Sequence, residues 1–299
     1  MGQRIKQAVL SAGLLTVMVL LLRQNDAVGQ AVRHGLTLCG RTVIPALFPF
    51  FVTVSCAVSA GFFRLLRQLR LPVPAAVFLL GIIGGYPVGG RTVGELYRAG
   101  ELSREAAERL LLFCNNAGPS FILSVAGAGV FGSSRMGVLL YIVHIAAALA
   151  AGGLMGAFKR GEKPPNNHPF FPNKATDDIP FSALFVKSVQ NAAISMVHVC
   201  AFVIYFLALM ALLQQAVPGL PPLAMGLLEL TAGVTGLSGD AEGFVMAAAL
   251  LGWGGVSVHC QTAAVLADTG LQMGRYLAAK AVQGALSALT AWLLLPLLF

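Results

Sequence analysis

The chain has 299 residues, of which 57% are hydrophobic and only 11% are charged, with a mean hydropathy of +0.79. Soluble domains carry about 25% charged residues, so an ordinary soluble protein is excluded and an integral membrane protein is indicated. The formal net charge of +8 reads as a cytoplasmic-loop bias, because no basic patch is interleaved with aromatic residues as nucleic-acid binding requires.

At about 20 residues per membrane helix, the length allows roughly eight to ten membrane segments. The first apolar segment, 5–22, follows Arg4 and Lys6 and has the charge and apolar core of a signal sequence. Ala27-Val28-Gly29 is a cleavage candidate, but an uncleaved first helix is expected, because the rest of the chain is itself apolar. Further apolar segments run at 36–61, 73–88, 109–131, 137–158, 185–213, 222–238, 244–268 and 275–298. The stretch 159–184, with Pro164-Pro165, Asn166-Asn167 and Asp177-Asp178, divides the chain and reads as a linker. The five cysteines are scattered through apolar sequence without CxxC or CxxH spacing, so they read as packing residues, and no metal is expected. HExxH, P-loop and GxSxG signatures are missing. Neither enzymatic chemistry nor a cofactor is expected.

Three segments contain helix breaks. The first is Gly84-Gly85-Tyr86-Pro87-Val88-Gly89-Gly90, the second Asn115-Asn116-Ala117-Gly118-Pro119-Ser120, and the third Trp253-Gly254-Gly255-Val256-Ser257. Non-helical backbone survives at membrane depth only where protein buries it or where it lines a polar cavity. At the first break Pro87 removes a donor and Gly85 and Gly89 allow close backbone approach. Freed N–H groups there are suited to an anion; the alternative is a plain loop or a tight helix crossing. Asn115, Asn116 and Ser120 offer donors and acceptors to a solute; alternatively they satisfy their own broken helix. Glu229 stands in the otherwise uncharged stretch 225–233. An intramembrane carboxylate binds a coupling H⁺ or Na⁺, caps an opposing helix, or faces interfacial water. Ser257, His259 and Gln261 alternate with Val256, Val258 and Cys260, which predicts extended backbone. His259 titrates near neutral pH when unperturbed, although a lone His is more often a structural hydrogen-bonder. His144, His198, Asn191 and Gln190 rank lower, and Asp240 and Glu242 read as a solvated loop.

The two halves look related. Residues 118–157 fall on 255–294 without a gap, so that Gly118 meets Gly255, Ser120 meets Ser257, and Met136-Gly137 meets Met273-Gly274. Lys and Arg mark cytoplasmic loops. Arg4 and Lys6, the trio Arg64, Arg67 and Arg70, and Lys159, Arg160, Lys163 and Lys174 all fall on that side only if 73–88 descends and Thr92 to Tyr97 returns. The same reading of 222–238 inverts the second half. The expected fold is therefore an all-α polytopic membrane protein with two inverted-topology repeats, broken helices and re-entrant hairpins, as in secondary transporters. The expected divisions are 1–35, a first helix and connector; 36–158, the first repeat; 159–184, a cytoplasmic linker; and 185–299, the second repeat. Arg23, Arg33 and Arg41 then lie outside or line the cavity.

Gly85-Tyr86-Pro87-Val88-Gly89-Gly90, followed by Asn115-Asn116-Ala117-Gly118-Pro119 and by Leu228-Glu229-Leu230-Thr231-x-Gly233, resembles the sporulation integral membrane protein YlbJ-like (SpoVV) family, within the nucleoside-recognition (Gate) domain group. Val88 and Gly90 depart from the Gly-Tyr-Pro-Ser-Gly-Ala pattern of that family. The resemblance implies a transporter in the cell membrane with a cytoplasmic N-terminus, sited in the outer forespore membrane of a spore former, with dipicolinate as first solute. On that view Gly85, Tyr86, Pro87, Gly89, Asn115, Asn116, Gly118, Ser120, Ser257 and His259 bind the solute, Tyr86 by stacking. Glu229 and Thr231 couple a cation or order the site. The expected partners are the bilayer, a small solute and a coupling H⁺ or Na⁺, with self-association left open. The alternatives are a nucleoside carrier of the same architecture and a non-transporting scaffold of a sporulation or envelope complex.

Overall fold

A computed structural model of the chain describes residues 2–61, 68, 71–156 and 180–298. Most of the 159–184 linker, with Lys159, Arg160, Lys163 and Lys174, lies outside the described residues, as do Arg64, Arg67 and Arg70. Among the described residues the structure is helical throughout, without strands. The elements are α1 (Gly2–Arg23), α2 (Asn25–Leu38), which runs through a π-helical turn (Cys39–Val43) into α3 (Ile44–Ser59), α4 (Val73–Gly84), α5 (Val88–Arg98), α6 (Arg104–Cys114), the π-helical α7 (Ser120–Val130), α8 (Ser134–Leu154), α9 (Phe181–Ala216), α10 (Pro222–Leu228), α11 (Leu230–Thr235), α12 (Ala241–Trp253), α13 (Val256–Leu266) and α14 (Gly274–Leu298). Six helical runs are long and apolar enough to cross a membrane. The chain is an all-α polytopic membrane protein.

Local chemistry explains the boundaries. Ser103 caps α6 by accepting the Ala106 N–H at 3.2 Å, and Asp240 caps α12 by accepting the Gly243 N–H at 2.8 Å. Superposing 118–157 on 255–294 also puts Ser103 on Asp240, so the two caps occupy equivalent positions. Pro72 and Pro221 precede α4 and α10 in extended conformation, with a proline in the first turn of each helix. Helix α4 ends at Gly85, whose φ of +75° suits glycine. The following Tyr86–Pro87 peptide is cis.

The helices form two packing groups. Along one wall α2 and α3 pack on α9 through Leu38, Val43, Phe51, Met196 and Val203. The other group holds α4 to α8 and α12 to α14. Its core includes Val77, Leu111, Phe244, Leu250 and Tyr276, all fully buried. Helix α1 is exposed along its apolar length, as suits a helix facing lipid.

Three breaks meet inside the second group, and glycine is what lets them meet. A Cβ built at Gly81 would stand 1.7 Å from the Cys114 carbonyl oxygen, and one at Gly89 would stand 2.0 Å from the same atom. The α4–α5 hairpin thus clasps the end of α6 between two bare Cα atoms. Beside this contact, a Cβ at Gly85 would reach within 2.9 Å of the Gly118 nitrogen. The second half repeats the device: Gly255 lies against the Leu230 nitrogen, and Gly233 against the Gly226 Cα.

Candidate functional site

The breaks place three polar groups at the core, with different surroundings. Asn115 follows the last residue of α6 in extended conformation. Its Oδ1 accepts the Gly90 N–H at 3.1 Å, which supplies a partner to the start of α5. Its Nδ2 donates to Thr262 Oγ1 at 2.8 Å and to Tyr276 Oη at 3.0 Å. Asn116 Nδ2 donates to the Phe113 carbonyl at 2.6 Å, and its Oδ1 accepts from Gln283 Nε2 at 3.2 Å. The Ala117 N–H donates to His144 Nε2 at 3.2 Å. Both asparagines are fully buried, and their amides serve the broken backbone and the helices around it.

Lys280 completes this knot. It projects from α14 with no solvent exposure. Its Nζ donates to the Asn115 carbonyl at 3.0 Å and to Gln283 Oε1 at 2.6 Å, and it lies 5.2 Å from the centroid of the Tyr86 ring. These contacts occupy the directions an ammonium needs. Among the described residues no carboxylate forms an ion pair with Lys280. Its Nζ is held by neutral groups alone, so whenever Lys280 is protonated its charge is uncompensated and projects a positive potential into a low-dielectric interior. Sequence reasoning assigns Lys280 no role. The signal was there: it is the one charged residue between Arg275 and the C-terminus, and an ionisable side chain inside a membrane span marks a functional position by default.

Glu229 sits between α10 and α11. It caps α11 by accepting the Thr231 N–H at 3.1 Å and the Ala232 N–H at 2.7 Å, and Ser257 Oγ donates to it at 3.5 Å. The sequence reading offered a cap on an opposing helix; the geometry instead has Glu229 capping α11, the helix that starts at the next residue. Ser257, His259 and Gln261 correct an expectation. Their alternation predicted extended backbone, but they lie in α13. The Gly254-Gly255 pair, with φ of +95° and +81°, absorbs the whole break, so the helix resumes at Val256. His259 Nδ1 lies 3.1 Å from Tyr276 Oη, its ring packs edge-on against Trp253 at 4.4 Å, and its Nε2 is buried without a partner.

A narrow cavity of about 50 Å³ opens between the two packing groups. The α3–α9 wall contributes Val43, Phe51 and Val203. The opposite wall carries Gly85, Tyr86, Gly118, Glu229, Thr231 and Gln261. The Tyr86 hydroxyl is buried without a partner. Of the residues singled out from sequence, Gly85, Tyr86, Gly118, Glu229 and Thr231 line this cavity, and Pro87 lines the neighbouring one. Gly89, Asn115, Asn116, Ser120, Ser257 and His259 line neither; they are buried one layer behind. Lys280 stands behind Tyr86, so the ring separates the cation from the cavity.

The chain is similar to the sporulation integral membrane protein YlbJ of Bacillus subtilis (strain 168), with 23% identity over 97% of this chain and 83% of that protein. The chain resembles YlbJ along nearly its whole length. This full-length match bears out the resemblance carried by the Gly-Tyr-Pro and Asn-x-x-Gly-Pro motifs. No family model matches the chain, and no solved structure matches it. The YlbJ-like match covers both halves, including every break.

Proposed function

We propose that this protein carries a small organic anion across the membrane, with dipicolinate as first candidate in a sporulating cell. The observation that carries the reading is an uncompensated Lys280 behind Tyr86, at a cavity where broken helices converge. A unit anion on the cavity side of Tyr86, roughly 9 Å from Nζ, gains about 2 kcal/mol at an effective dielectric of about 20. An aromatic dianion gains more and presents a face to the Tyr86 ring.

Several features support an inverted-repeat carrier with re-entrant hairpins. Helix α4 has 12 residues, about 18 Å of rise, and falls short of a hydrocarbon core about 30 Å thick. The order short hairpin, broken helix, long helix occurs twice, with the caps Ser103 and Asp240 and the close-packed Gly118 and Gly255 in register. Glu229 orders the site by holding α11, and its place on the cavity wall suits it to a coupling H⁺ or Na⁺. The similarity to a sporulation membrane protein favours dipicolinate over nucleosides.

The test is uptake of dipicolinate into proteoliposomes, with uridine as competitor. Saturable uptake that excess uridine leaves unchanged supports the reading. Uptake blocked by uridine points to a nucleoside carrier. No flux of either solute, with stable copurifying proteins, points to a scaffold.

A further inference from the structure

Among the described residues four cavities touch α3; one, lined by Ile44 and Phe48, is apolar, and the other three, the central one among them, carry polar groups and follow one another along the helix. Toward the N-terminal end of α3, a cavity of about 440 Å³ is lined by Arg41, Thr42, Pro45 and Ala46, and across from them by Ser124 of α7 and Thr235 of α11. The narrow cavity follows at Val43, Leu47 and Phe51. Toward the other end, a cavity of about 240 Å³ is lined by Phe51, Val54, Ser55 and Ser59, facing Arg91 and Glu95 of α5 and Asn191 of α9. Positions 43, 47, 51, 55 and 59 recur every four residues, so they form a continuous ridge that winds about 160° around the helix from one end to the other. From Arg41 to Ser59 the rise is about 27 Å at 1.5 Å per residue, close to the hydrocarbon thickness. Phe51 borders both the narrow cavity and the Ser55 cavity, and Tyr86 and Phe121 face it across the narrow one.

Charge follows the same line. Each wide cavity carries an arginine, Arg41 at one end and Arg91 at the other. Among the described residues Arg41 makes no ion pair. Behind Tyr86, which lines the narrow cavity, stands Lys280. A wide polar mouth with an unpaired Arg41, an aromatic constriction that carries Glu229 with Lys280 behind it, and a second wide mouth that carries Arg91 beside Glu95 have the form of a polar route with basic groups at both ends.

We infer that the solute travels along the α3 ridge, between the α3–α9 wall and the broken helices, with Arg41 and Arg91 as its receiving groups at opposite membrane faces and Phe51, Tyr86 and Phe121 as the barrier between them. This rests on the transport reading and adds the path. Arg64, Arg67 and Arg70 follow α3 in sequence, which assigns the Arg91 mouth to the cytoplasm and the Arg41 mouth to the outside.

The experiment is thiol labelling by a charged, membrane-impermeant methanethiosulfonate on the full chain in oriented vesicles, mapped by mass spectrometry so that the native cysteines stay in place. Thr42→Cys is expected to react at least about tenfold faster from the outer face, and Ser55→Cys from the cytoplasmic face. Val197→Cys, exposed on α9 and facing lipid, is expected to react from neither. Dipicolinate is expected to slow labelling at both wall positions. Ser124→Cys and Asn191→Cys carry the same test from the opposite walls if an α3 variant misfolds. Silence at all four positions, or reactivity of both mouths from one face, overturns the path. If dipicolinate uptake persists in that case, the transport reading stands without this route. If the labelling follows expectation but no solute is taken up, the path is a water-filled track and the transport reading falls.

Discussion

Both halves contain two helix breaks, at 85–87 and 115–119 and at Glu229 and 254–255, but they close them differently. In the first half, Asn115 and Asn116 spend their amides on the backbone of α5 and α6 and on α13 and α14. That knot is dry and its hydrogen bonds are made. In the second half, a carboxylate performs the closing role. Glu229 caps α11 and also borders the cavity, and nearby His259 Nε2 has no partner. The difference teaches that polar residues at membrane breaks divide between holding the fold and facing the solute. Their type does not reveal which. Lys280 joins the two regions, because it is bound by the dry knot and reaches the cavity through Tyr86.

The largest effect expected is at the glycine clasp. Gly81→Ala puts a methyl carbon where the Cys114 carbonyl oxygen already is, and backbone cannot yield as a flexible side chain does. Folded protein in detergent should be lost, as read by size-exclusion chromatography. Recovery of a monodisperse, wild-type-like protein would break the account of how the first half closes.

Next in size is Asn115→Ala. It strands the Gly90 N–H and takes one partner from Thr262 Oγ1 and from Tyr276 Oη, which keep the Val258 carbonyl and His259 Nδ1; an orphaned buried group costs on the order of 1–3 kcal/mol. A lowered melting temperature is expected with dipicolinate and without it. Glu229→Gln should cost less, about 1 kcal/mol, in keeping with loss of a helix cap. Because Glu229 faces the cavity, removing its negative charge should raise dipicolinate-dependent stabilisation while the variant's own stability falls. If the two variants changed stability and ligand response in the same ratio, the contrast between the dry knot and the cavity lip would fail.

The smallest effect expected is at the exposed ion pair between Arg98 and Asp268, which ties α5 to the loop after α13. The guanidinium holds the Asp268 carboxyl below its ordinary range, chiefly through the hydrogen bond. The folded value is depressed, so the contribution is present above the unfolded carboxylate range and is lost as pH falls through the lower folded one. The gap in melting temperature between wild type and Asp268→Asn should therefore be small at pH 7 and close on acidification.

Much of the architecture was legible because hydrocarbon enforces it. Apolar run length gave α1, α8, α9 and α14 within a few residues. Gly84 to Gly90, Asn115 to Pro119 and Gly254-Gly255 gave breaks where the structure has them. Site membership was less legible. Gly118 and Asn116 read alike as solute ligands, yet one lines the cavity and the other supports α14. Sequence does not show which face of a break turns outward. The alternation around His259 misled because a period of two over six residues also arises within a helix whose break lies earlier, at a glycine pair. Lys280 was passed over because its segment is long and apolar enough to cross a membrane, and that property says nothing about the face its single charge occupies.

The most direct test of the central claim, that Lys280 draws an anion to the cavity behind Tyr86, is dipicolinate-dependent thermal stabilisation of purified wild type and Lys280→Met. A ligand that binds the folded state alone raises the melting temperature in proportion to its affinity. The account predicts a rise for wild type, and an affinity for Lys280→Met reduced by at least about thirtyfold, the factor equivalent to the roughly 2 kcal/mol of a unit anion. Equal dipicolinate affinity in the two folded proteins would contradict it.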